Sequence, residues 1–345
     1  MNESDPLEPD GDRDPIEGDA QPISKENEAS SVLRDLHVAL ANQVERCIVG
    51  QKEAVRLLFI SLVAGGHVLI EGVPGLAKTT LARSLAESLA LCFGRVQFTP
   101  DLMPSDILGT QVFDFQKGSF HLVEGPVFTQ ILLADEINRA PAKTQAALLE
   151  AMQEGTISLD GKPRDLPRPF LVLATQNPIE HEGTYPLPEA QLDRFMFKVV
   201  LDYPDMEEEV RILEMHRGDA EGLRQSLGEI QAVTTAEDLL RAREEAFGTR
   251  MENRLRRYLI ELIRATRDHV SILHGASPRA ALLLQLAARI AARLEGRDYV
   301  IPDDIKDLLL PLLRHRVFLT ATAEVEGADL DEVLREIADA IPVPR

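Results

Sequence analysis

Apolar positions along the chain follow two successive patterns. Between about Val32 and Leu201, short continuous apolar runs alternate with stretches of helical period. Five runs, at residues 67–70, 95–98, 131–134, 170–174 and 196–201, read as strands buried on both faces. Helical patterns at residues 79–90 and 141–154 lie between them. The second is punctuated by Pro141 at its first position and Gly155 just past its end. Such alternation predicts a parallel sheet covered by helices, an α/β fold. Two segments break the rhythm and read as hairpins. Residues 112–115 and 120–123 flank Gln116-Lys117-Gly118-Ser119, and residues 157–159 and 162–164 flank the turn pair Asp160-Gly161. Beyond Tyr203-Pro204 the strand pattern stops. Helical patterns then run over residues 206–216, 236–247, 254–269, 278–294, 302–314 and 330–340. The expected division is a tail at 1–31, an α/β core at 32–203 and a helical domain at 204–345.

Composition changes this picture at one end. Residues 1–30 hold ten acidic and two basic side chains, so they contribute −8 of the formal −20 net charge. With so little apolar surface this segment reads as a disordered acidic tail. The remaining −12 argues against nonspecific binding to nucleic acid, which needs clustered Lys and Arg. A length of 345 residues suits two domains, and 44% hydrophobic with 27% charged residues is ordinary for a soluble chain. Trp is absent, so Leu, Ala, Val and Ile must build the core. No apolar run of 18 residues occurs and the start is acidic and polar, so neither a membrane span nor a signal peptide is expected. A cytoplasmic protein is the expectation. Cys47 and Cys92, both among apolar residues, read as buried free thiols. His67 reads as a strand residue, and no His/Cys/Asp grouping suggests zinc.

Candidate chemistry begins after the first strand. Gly72-Val73-Pro74-Gly75-Leu76-Ala77-Lys78-Thr79 follows a strand and opens a helix, the context in which backbone N–H groups cradle phosphates at a helix start. Lys78 would reach the β- and γ-phosphates, Thr79 would hold Mg²⁺, and Thr80 completes the nucleotide-binding set. Ala77 stands where the general pattern has Gly, which requires helical dihedrals there. The third strand ends in Asp135-Glu136, at the strand tip where ligands bind in open α/β sheets. Asp135 would complete the metal shell and Glu136 would act as general base. After the fourth strand, Asn177 would orient water or meet the γ-phosphate, or else form a turn before Pro178. Arg194, just before the fifth strand, would enter a neighbouring subunit's site, or else pair with Asp193. Arg279 follows Ser277 and Pro278 at a helix start, so its charge calls for a nearby anion, either a phosphate or a structural Glu. Arg139 is a further candidate for a contact between subunits.

Together these residues resemble an AAA+ ATPase, and more narrowly the MoxR family. The resemblance rests on Ile48-Val49-Gly50-Gln51 and on residues 71–79, 133–144, 146–155, 174–178, 187–195 and 277–280, so it spans about residues 32–320. It implies an αβα core with a five-stranded parallel sheet and an all-helical lid. Walker A would be residues 72–79, Walker B residues 131–136, sensor 1 Asn177, the arginine finger Arg194 and sensor 2 Arg279. Val49, Gly50 and Gln51 would border the adenine, and ATP and Mg²⁺ would be the ligands. The two hairpins would be the helix-2 insert and the pre-sensor-1 hairpin, elements that line a pore or touch clients in related ATPases. The family further implies a homo-oligomeric, typically hexameric, ring with chaperone-like activity and a partner carrying a von Willebrand factor A domain. The alternatives are a nucleic-acid motor or loader, and a nucleotide-binding scaffold that hydrolyses ATP poorly.

Overall fold

The computed structural model describes residues 31–159, 161–177, 184–216 and 229–344. The acidic tail lies outside these residues.

The five expected strands form one parallel sheet. They are β1 (Val68–Glu71), β2 (Phe93–Gln97), β5 (Ile131–Asp135), β8 (Leu171–Gln176) and β9 (Phe197–Val200), in spatial order β2-β5-β8-β1-β9. Successive side chains of a strand point to opposite faces, and the burial follows that rule. Val68, Ile70, Leu133 and Leu173 enter one core, with helices α1 (Val32–Val44), α2 (Lys52–Ala64) and α3 (Lys78–Ser88). Leu69, Leu132, Ala134 and Val172 enter the other, with α4 (Pro104–Leu108) and α5 (Ala142–Glu154). Without Trp, the largest fully buried side chains are Tyr258, Phe59, Phe98, Phe195 and Phe197. Pro141 precedes α5 with extended dihedrals (φ −58°, ψ 151°), one position outside the helix it was expected to open. His67, immediately before β1, is buried: its Nδ1 accepts the Val172 N–H at 3.0 Å and its Nε2 donates to the Met152 carbonyl at 2.9 Å. Cys47 is buried as expected, but Cys92 is exposed, because it precedes the edge strand β2 rather than a central one.

Both hairpins form. β3 (Gly109–Asp114) pairs with β4 (Ser119–Glu124), and β6 (Thr156–Leu159) with β7 (Lys162–Asp165). At the base of the first, Gly109 and Gly125 are pressed together. A Cβ on Gly125 would lie 2.2 Å from the Ile107 carbonyl oxygen, and one on Gly109 2.4 Å from that of Val123. The hairpin carries Phe113, Phe115 and Phe120 in edge-on contact at 5.0–5.1 Å, with Phe115 89% exposed.

A short α6 (Glu189–Leu192) precedes β9, and after β9 come the helices α7 (Met206–His216), α8 (Ala236–Phe247), α9 (Asn253–Asp268), α10 (Pro278–Leu294), α11 (Pro302–Leu313), α12 (Ala321–Val325) and α13 (Leu330–Ala340). This region is helical as expected, with one addition. Ile272–His274 (β10) pairs antiparallel with Phe318–Leu319 (β11). Apolar side chains of α8–α11 and α13 continue the core formed by α1 and α2, so among the described residues the helical region shares the core of the sheet's first layer.

Candidate nucleotide site

β1 ends at Glu71, and the chain turns through Gly72–Ala77 into α3. Gly75 (φ +93°) and Ala77 (φ +54°) both adopt left-handed backbone. Ala77 therefore lacks the right-handed helical dihedrals that an Ala was expected to need; a left-handed L-residue costs about 1–2 kcal/mol, which explains why the general pattern has Gly. Among the described residues, no main-chain carbonyl accepts from the N–H groups of residues 75–80, and α3 makes its first main-chain bond from Leu81 to Ala77. These donors and the helix start form an anion cradle. Lys78 folds back so that its Nζ donates to the Gly72 carbonyl. Burial lowers the Lys78 pKa, opposed by the carboxylates of Asp135, Glu136 and Glu71.

Parallel register places the other groups beside this loop. β5 is flanked by β2 and β8, with Gln97 opposite Asp135. Thr175 donates its hydroxyl to Asp135 Oδ1 at 2.6 Å and accepts the Glu136 N–H at 2.8 Å. Arg95 Nη2 donates to Asp135 Oδ2 at 2.7 Å. Glu136 is left-handed (φ +57°), a conformation that clusters at active sites, and its Oε2 accepts from Gln97 Nε2 at 2.7 Å and pairs with Arg139 at 3.3 Å. Arg139 thus joins the acidic pair within the chain. Asn177 is buried directly after β8. Asp135 and the Thr79 hydroxyl, at the start of α3, are hard oxygen donors. One or two carboxylates plus phosphate oxygens suit Mg²⁺, so the residues present fit the metal.

A cavity of about 480 Å³ adjoins the loop, lined on one side by Pro74, Gly75, Leu76 and Ala77 and on the other by Val49 and Gln51. Its volume is in the range of small-molecule sites. Gly50 opens instead onto a neighbouring cavity of about 440 Å³ that Gln51 also lines. Sequence reasoning missed Tyr203, Ile212 and Leu213, which close the first cavity; the apolar stripe of the 206–216 helix was the available signal. It also missed Arg95, Gln97 and Thr175.

Two expected site residues lie elsewhere in this chain. Arg194 precedes β9, whose first residue pairs with the first residue of β1, so Arg194 sits at the start of the strands and Lys78 beyond their ends. The intervening strand alone spans roughly 13 Å. Arg279 is exposed at the start of α10, after the N-cap Ser277, which accepts the Ala280 N–H at 3.3 Å. Its charge acts on His67 and Arg316, both at Arg194's end of the sheet. Among the described residues neither arginine forms a side-chain ion pair. Asp193 pairs with Arg316 at 2.7 Å instead of with Arg194. Burial lowers the Arg316 guanidinium to about 10, opposed by its bond to Asp193, and it stays charged at neutral pH.

A P-loop at the end of β1, an Asp-Glu pair on the next strand but one and a helical domain after the sheet define a nucleotide-hydrolysing class. In agreement, residues 67–197 match the model of the ATPase family associated with various cellular activities (AAA), and residues 264–337 match the AAA lid domain. Chaperone MoxR1 of Mycobacterium tuberculosis is 43% identical, over 88% of this chain and 81% of its own. Protein MoxR of Paracoccus denitrificans is 34% identical, over 90% of this chain and 96% of its own. The crystal structure of a candidate ATPase from Cytophaga hutchinsonii superposes with a TM-score of 0.83 at 41% identity, over 91% of this chain and 96% of that one. The chain belongs to the MoxR family of AAA+ ATPases.

Proposed function

We propose that the chain is an Mg²⁺-dependent ATPase that works as a homo-oligomeric ring, typically a hexamer, and remodels a protein client in the manner of a chaperone. The observation that carries this reading is the separation of the site into two ends. The phosphate cradle, Asp135 and Glu136 occupy one end of the sheet, while Arg194 and Arg279 stand at the other, so a complete site needs a second copy. Lys78 and the free N–H groups bind and orient the β- and γ-phosphates. Glu136 takes a proton from the attacking water at its carboxylate, and Asn177 orients that water. Thr79 and Asp135 would hold Mg²⁺, whose charge would offset that of the phosphates. Arg194 from a neighbour stabilises charge on the transferred group, a contribution worth about 10³–10⁵ in rate in the best cases, and Arg279 from a neighbour holds a phosphate. Val49 and Gln51 border the base, with Gly50 beside them.

The exposed Phe113, Phe115 and Phe120 on the first hairpin supply an apolar surface for a client. The name of the mycobacterial relative supports a chaperone role, and the MoxR resemblance extends the proposal to a partner with a von Willebrand factor A domain. A nucleic-acid motor is disfavoured by the net charge of −20. Among the described residues no helix is long and apolar enough to cross a membrane. The Glu136→Gln chain, held with ATP and Mg²⁺, should sediment as a closed ring, and wild-type turnover should not respond to DNA. A monomer under those conditions, or turnover stimulated by DNA, would count against the proposal.

A further inference from the structure

Arg194 follows α6, a single turn of four residues that cannot fix its own orientation. Its main chain is held from outside, by the two residues at the end of the α11 segment. Arg316, whose side chain is 1% exposed, donates from Nε to Asp193 Oδ1 at 2.7 Å and from Nη2 to the Asp193 carbonyl at 3.1 Å and to the Phe195 carbonyl. Its Nη1 donates to the Met196 carbonyl at 3.0 Å and to that of Leu312. His315 Nε2 donates to the Phe195 carbonyl at 2.9 Å. Both neighbours of Arg194 are thereby pinned, while its own guanidinium makes no ion pair among the described residues. An apolar side chain could fill the space under Phe195 without the cost of burying a charge. What a guanidinium adds is a fixed fork of donors, which orients the chain that carries Arg194. The same end of α11 also borders the cavity next to the one at the phosphate loop. Leu310, Pro311 and Arg314 line the cavity that Gly50 and Gln51 share.

We infer that Arg316, with Asp193 as its counter-ion, is a positioning residue that presents Arg194 to the neighbouring subunit and ties it to the helical domain bordering this subunit's own nucleotide pocket. The inference rests on reading Arg194 as the residue given to the neighbour. Through α11, a shift of the helical domain over one nucleotide moves the arginine aimed at the next.

The test uses full-length Asp193→Asn and Arg316→Lys chains, with ATP affinity by calorimetry, Mg²⁺-ATP turnover, and turnover after mixing with Lys78→Ala subunits. Misplacement of a catalytic group by about 1 Å costs about 100-fold. Both variants should lose turnover by about that factor, keep wild-type ATP affinity, and recover turnover when Lys78→Ala subunits supply an intact Arg194. If Arg316→Lys does not fold, Asp193→Asn carries the test, because it is isosteric and still accepts from Arg316. Wild-type turnover in the variants beside an inactive Arg194→Ala chain overturns the inference alone. Weakened ATP affinity without recovery on mixing reduces the pair to a structural role and overturns it too. Wild-type turnover in Arg194→Ala itself removes the reading on which the inference rests.

Discussion

At the scale of single residues, the loop carries its own strain. Ala77 holds φ +54° where the general pattern uses Gly, at a cost of about 1–2 kcal/mol. Ala77→Gly would relieve that strain while loosening the unfolded chain by about 0.4–1 kcal/mol, so it should stabilise the protein by about 1 kcal/mol. The check is the thermal midpoint, which should rise by about 2 °C. A fall would mean that the methyl group packs favourably where the backbone suggests strain. Lys78, Thr79, Asp135 and Glu136, which local spacing sets at the strand ends, were legible in the sequence as a candidate set. Arg95, Gln97 and Thr175 were not, because each reaches the acidic pair from another strand through lateral register. The same reason undid the Asp193–Arg194 alternative: Asp193's partner is 123 positions away, at Arg316.

At the scale of elements, the parallel strands and long helices were readable because burial on both faces and amphipathic period leave strong patterns. The β10–β11 ribbon was not, since strands of two and three residues carry no periodic signal. Nor could local sequence show how elements are tied. His67 joins β1, β8 and α5 through one imidazole, and burial pushes its pKa from 6.5 down to about 4. His315, at the end of α11, is lowered in the same direction by burial and then by Arg316. Below pH 6.5 the unfolded chain binds protons that the folded His67 refuses, so stability falls as pH drops toward 4. The full His67 contribution is about 3 kcal/mol, of which about 2 kcal/mol is lost by pH 5. Denaturant midpoints at pH 7.5 and pH 5 should show this loss, and coincident midpoints would contradict neutral, buried imidazoles at these junctions.

At the scale of the molecule, one sheet separates two groups of candidate site residues. Its strand ends present the phosphate cradle and the acidic pair, and its strand starts present Arg194 and Arg279, with the helical region continuous with the layer between them. Sequence motifs named all these residues, but only the three-dimensional placement shows that they do not meet within one chain. In the proposed machine each subunit would bind nucleotide at one face and offer arginines at the other. The proposed machine depends on ATP being bound at Lys78 and hydrolysed with Glu136 as the base. The most direct measurement pairs ATP binding by calorimetry with Mg²⁺-dependent phosphate release for the wild-type, Lys78→Ala and Glu136→Gln chains. Lys78→Ala should lose binding, while Glu136→Gln should bind ATP normally and release phosphate about 10²–10⁴-fold more slowly. Unchanged ATP affinity in Lys78→Ala, or normal turnover in Glu136→Gln, would contradict it.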